Sequence, residues 1–199
     1  MKTPARPSSM TARRRWRRAL ILLMISGFSV LGYLAARTYQ DAPPIPARVI
    51  GPDGTTLFTR RDVTAGQQVF LSHGLMENGS VWGHGAYLGP DFSAEYLHTM
   101  ALGIRASTSA AMSQDSSALH PNDPDALDAE IARTLKKNRY DPASDTLAFT
   151  QAQADSFHVQ QGMWRDYFAA PDRNGGLPAG LIQDPEQLHE LTAFFAWAA

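Results

Sequence analysis

Residues 66–92 read GQQVFLSHGLMENGSVWGHGAYLGPDF, and the remainder of the chain is best understood outward from them. Just before this stretch, Thr64-Ala65-Gly66-Gln67 has the helix-opening pattern in which a Thr hydroxyl accepts a backbone N–H and a Gln reaches back. The spacing predicts a helix carrying Val69 and Phe70 and stopping at Gly74, where glycine suits a left-handed turn. Beyond it, Gly79, Gly83, Gly85 and Gly89 alternate with Trp82, His84 and Tyr87. That many glycines predicts irregular backbone lying close to something bulky or to other backbone.

The chain has 199 residues, room for one ordinary domain plus an anchor. Its net charge of −1 conceals an asymmetry. Residues 1–18 hold seven basic side chains and no acidic one, leaving 11 basic against 19 acidic in the rest, a net of −8. The acidic body offers no basic patch for nucleic acid. With no cysteine, disulfides, zinc–thiolate sites and thiol chemistry are excluded. No nucleotide loop, Gly-x-Ser-x-Gly elbow or HExxH is present.

Residues 19–36 (ALILLMISGFSVLGYLAA) are uncharged. At 1.5 Å per residue they give roughly 27 Å of helix, close to a bilayer's hydrocarbon thickness. We read residues 1–18 as a basic cytoplasmic tail, 19–39 as a transmembrane helix and 40–47 as a Pro-rich linker. The Arg13–Arg18 cluster sets the topology and places everything after Tyr39 outside; anionic lipid is its other conceivable partner. The competing reading is a cleaved signal peptide, but the apolar run exceeds the usual length and lacks a polar stretch before a cut.

In the body, residues 48–50 and 55–59 flank Gly51-Pro52-Asp53-Gly54 as a hairpin. Ser93 is expected to cap a second helix reaching about Ser107, with Leu97, Met100, Ala101 and Ile104 on one face. Residues 108–122 read as a loop, and Asp123-Pro124 opens a third helix with Leu127, Ile131 and Leu135 as its stripe. Residues 147–149 are a short strand or extended link. Thr150 and Gln153 repeat the capping box, opening a fourth helix to about Phe168 whose broad aromatic face (Phe157, Trp164, Phe168, with Val159, Met163 and Tyr167 alongside) is core. Asp184-Pro185 starts a last helix ending LHELTAFFAWAA. Either it packs back on the domain or it begins a second membrane helix.

GQQVF followed by GxGAYxGPDF resembles the cytochrome c subunit of bacterial nitric oxide reductases. SVWGHGAYLGPDFSAEYLH and the later LTAFFAW are similar to the single-chain, quinol-dependent reductases, whose extracytoplasmic domain is cytochrome c-like without its haem. The resemblance places the two haem-linking cysteines at Leu75 and Asn78 and the haem-ligating histidine at Gly79; all three are replaced, and without cysteines covalent c-type attachment is impossible. It implies a mainly α fold: a membrane helix plus a haemless cytochrome c-like domain at 48–185 with a small β-hairpin. Residues 186–199 would then be the truncated start of a second membrane helix.

The implied function is that of the N-terminal fragment of a quinol-oxidising nitric oxide reductase, structural and non-catalytic, in a bacterial inner membrane. The implied reaction is two NO, two electrons and two protons to N2O and water. Two b-type haems, a non-haem iron and quinol would belong to a C-terminal core, which with the bilayer is the implied partner. The alternative is a free-standing anchored binding or sensor domain, or an accessory subunit.

No residue is assigned a catalytic, cofactor or metal role. His84, between Gly83 and Gly85, is read as hydrogen-bonded to loop backbone rather than as a ligand or proton carrier; the haem-bearing relatives often have an acid there. His73 and His98 are read as surface or boundary histidines, and His73, Glu77 and His84 have no metal-specific spacing. Trp82 and Tyr87 are expected to fill space the haem has vacated, since an empty apolar cavity costs stability. Asp91 and Glu95 read as helix-capping acids rather than an acid/base pair.

Overall fold

The computed structural model describes residues 9–40, 43–114, 124–170, 172 and 174–199, in two units, residues 1–44 and 45–199. The first unit consists essentially of α1 (Ser9–Gln40). Within it, Arg13–Gln40 is long and apolar enough to cross a membrane, and its side chains are exposed throughout.

The second unit opens with β1 (Arg48–Ile50) and β2 (Thr56–Thr59), the expected hairpin, turned at Gly54 with φ 81°. The sheet is wider than a hairpin. β6 (Thr146–Ala148) runs parallel to β1, matching Val49 with Leu147, and β5 (Tyr140–Asp141) pairs antiparallel with β6, giving the order β2-β1-β6-β5. Strand β6 settles the extended-link alternative, whereas β5 is too short and polar to stand out in the sequence. From the inner face Phe58 stacks on Phe157 at 5.0 Å between ring centres.

α2 (Arg60–Ser72) begins four residues before the expected cap. Thr59, extended at the end of β2, is the actual N-cap: the Asp62 N–H donates to its hydroxyl, and Asp62 accepts the Thr59 N–H. Thr64 instead donates to the Arg60 carbonyl one turn back. A Thr ending a strand has the extended φ/ψ a cap requires, which Thr64, inside the helix, lacks. Gly74, at φ 62°, ends the helix region as expected.

α3 (Phe92–Gln114) also differs from its sequence reading. Ser93 lies inside it, and Asp91 accepts the first-turn N–H, from Ala94. The helix runs past Ser107 to Gln114, so residues 108–114 are helical; the rest of the expected loop and Asp123 lie outside the described residues. Phe92, Tyr96, Met100 and Ile104 form its buried stripe, and Leu97 is exposed. α4 (Pro124–Lys136) buries Ile131 as anticipated.

α5 (Gln151–Ala169) carries the Thr150–Gln153 capping box and buries Phe157, Trp164 and Phe168, while Val159 faces solvent. α6 (Pro185–Ala198) starts at Asp184, which accepts the Glu186 N–H. This helix is integral to the core: Leu191 and Phe195 are fully buried, and its main neighbour is α2. The close approach explains Gly66, where any Cβ would overlap the Glu190 carbonyl and the Phe194 Cβ.

Candidate functional site

The site is the turn after α2 and the glycine loop that folds over it. Leu75–Glu77 form one 3-10 turn, Asn78 and Gly79 follow, and Ser80–Val81 (β3) pair with His84–Gly85 (β4). Trp82 and Gly83 make the two-residue connection, with φ of 54° and 73°. Positive φ at both positions is what a type I′ hairpin needs. The loop then returns across residue 78: Leu88 and Gly89 both donate to the Asn78 carbonyl, and Ala86 donates to that of Met76.

The three positions matched to haem attachment are closed by protein. Leu75 is fully buried in the core. The Asn78 amide donates to the carbonyls of Asn174 and Gly175 at 2.9 and 3.0 Å, and its Oδ1 accepts the Tyr167 hydroxyl at 3.0 Å. Burial pushes that phenol up to about 12. At Gly79 any side chain would overlap the Pro90 carbonyl oxygen and the Phe92 ring. Phe92 lies flat on Phe195 (4.7 Å, 6°) and is flanked by Phe70, Trp164 and Tyr167. A c-type haem needs two thioether sulfurs and an adjacent imidazole. These residues supply none of the three and leave no room for the imidazole, so they do not fit that group.

Asp91 pins the loop to α3. Its carboxylate accepts from Ser80 Oγ, the Gly83 N–H, Ser93 Oγ and the Ala94 N–H at 2.6–2.9 Å. Partial burial raises its pKa, but the bonds from Ser93, Ala94, Gly83 and Ser80 outweigh this and hold it at about 2. The capping role read from sequence is therefore right for Asp91 but incomplete.

The expected pocket-fillers stand elsewhere. Trp82 is 54 % exposed, Tyr87 85 % and Leu88 73 %, so each presents apolar surface to solvent. Trp82 and Tyr87 are not needed inside, because Phe92, Trp164 and Phe195 already fill the core beneath Gly79. His84 and His98 are exposed, and His73 faces the Val69 carbonyl at 3.0 Å. Among the described residues no three His, Asp or Glu side chains gather as a metal set. That Asn78 bonds to Tyr167 and Asn174 was not legible in the sequence, because residues almost 90 or more positions apart carry no local signal of their meeting.

With this geometry in view, the comparison with known families is decisive. Residues 46–199 match the model of the NorB cytochrome c-like domain of nitric oxide reductase. The chain belongs to that family. Among curated proteins none matches it. A NorB-type cytochrome c-like domain accords with the mainly helical architecture and small sheets, and the candidate membrane helix is consistent with it.

Proposed function

We propose that this chain is the N-terminal part of a quinol-oxidising nitric oxide reductase, held in a bacterial cytoplasmic membrane by α1 with residues 45–199 outside. In this reading the domain carries no redox centre. It caps and braces a catalytic membrane core in which b-type haems and a non-haem iron reduce two NO to N2O with electrons from quinol. The observation that carries the reading is the closure at residues 75, 78 and 79: the positions that the resemblance to the haem-bearing cytochrome c subunit matches to haem attachment are taken by a buried leucine, a fully bonded asparagine and a glycine against Phe92. A domain retained after that change serves through its surfaces. The exposed Trp82, Tyr87 and Leu88 supply apolar surface suited to docking, and we assign it to the core.

The test uses a full-length enzyme. Tyr87→Ser with Leu88→Ser removes apolar surface without touching the interior, and a separate deletion variant replaces residues 45–198 with a flexible linker. The reading predicts that the loop variant keeps a folded domain but loses co-purifying core stability, and that the deletion lowers haem content and activity. Unchanged assembly, haem content and turnover in both would overturn it.

A second reading, a free-standing anchored binding domain, draws on one feature: a cavity of about 690 Å³ between α3 and α5, walled by Glu95, Asp166 and Asp172 over Trp164 and Tyr167. It predicts that the isolated chain binds an organic cation there, and titration with small amines decides it.

A further inference from the structure

Trp82 is a large side chain in backbone space that L residues rarely adopt. Its φ of 54° occupies the first central position of a type I′ turn, where Asn, Asp or Gly is usual. Among the described residues only Asp145 shares a positive φ without being glycine, and Asp is one of the types that tolerates it. Burial does not hold Trp82 in place, since half of it is exposed. What holds it is a set of three contacts in two directions. Its N–H donates to Ser93 Oγ at 3.0 Å, within the Asp91 network at the start of α3. Its indole Nε1–H donates to the carbonyl of Ala198, in α6, at 2.6 Å. Its ring meets that of Trp197 edge-on at 5.6 Å.

We infer that Trp82 is a positioning residue that fixes the exposed loop of residues 83–88 to α6 at Trp197 and Ala198, so that displacement of either is felt by the other. In this turn the indole reaches α6. An Asn or Gly would make the same turn with less strain but could not span to Ala198.

The test is hydrogen exchange on the full chain in detergent micelles. The loop amides are Gly83, Ala86, Leu88 and Gly89; the amide beside Ala198 is that of Ala199, which donates to Phe195; and the reference amides are Phe149 and Ala154, in the sheet and α5. Trp82→Phe keeps a ring against Trp197 and loses the donor. Trp82→Gly relieves the backbone and removes the whole link, and it suits the turn, so it folds. Trp197→Phe perturbs the link from the helix side. The expected result is exchange about tenfold faster, relative to the reference amides, at both the loop and Ala199 in Trp82→Gly, with a smaller rise at both in Trp82→Phe. Trp197→Phe is expected to speed the loop amides, which lie on another element. Faster exchange confined to the element carrying the substitution, or no change at Ala199 in Trp82→Gly, would overturn the inference.

Discussion

Asn78 and Asp91 are small side chains that carry much of the loop's order. Asn78 uses both donors and its acceptor on groups from two distant segments, and its carbonyl takes two further N–H groups. Replacing it with Ala takes its partner from the Tyr167 hydroxyl and the Gly175 carbonyl and leaves the Asn174 carbonyl only a long bond from the Leu177 N–H, and each loss costs about 1–3 kcal/mol where the group is buried. We expect Asn78→Ala to destabilise by about 2–4 kcal/mol in denaturant unfolding, more than any surface substitution in the loop. Asp91 gives a pH signature. Its pKa is held at about 2, below the ordinary unfolded carboxylate value, so its contribution is complete above about pH 4 and is lost as pH falls toward 2. Asp91→Asn should therefore be less stable than wild type at pH 6, with the gap narrowing between about pH 4 and 2. A gap constant over that window, followed by thermal unfolding, would contradict the assignment.

At the scale of elements, helix ends were legible wherever a cap used adjacent residues. Thr150–Gln153 and Asp184–Pro185 stand where the sequence put them. Two starts were misplaced because a stronger cap lay nearby: Thr59 with Asp62 outcompetes Thr64 with Gln67, and Asp91 outcompetes Ser93. The sheet was only half visible, because β5 and β6 are two- and three-residue strands whose pairing with β1 is long-range. Gly66 was read as part of a capping pattern, yet its role is spacing between α2 and α6. Gly66→Ala should cost about 1–3 kcal/mol through overpacking, despite alanine's better helix propensity. Equal or greater stability of that variant would mean the two helices are not in closest contact there.

For the whole molecule, the resemblance carried by GQQVF and GxGAYxGPDF and the absence of cysteine pointed to the family, and the match over residues 46–199 supports that step. What replaces the haem was not legible. Trp82 and Tyr87 were the obvious aromatic fillers because they lie in the loop that follows residues 75–79, but the filling comes from Phe92, Trp164 and Phe195 on three helices, a convergence only the fold creates. α6 belongs to that convergence, so Phe195→Ala should cost about 3–5 kcal/mol and loosen α2, α3 and α5 together. This closure is structural, and reinstating the ligands does not reverse it. The most direct measurement restores them, with Leu75→Cys, Asn78→Cys and Gly79→His in one chain made in a host that attaches c-type haem, followed by absorption spectroscopy and thermal unfolding. The account predicts a destabilised chain without covalent haem; a folded variant carrying covalent haem at wild-type stability would contradict it.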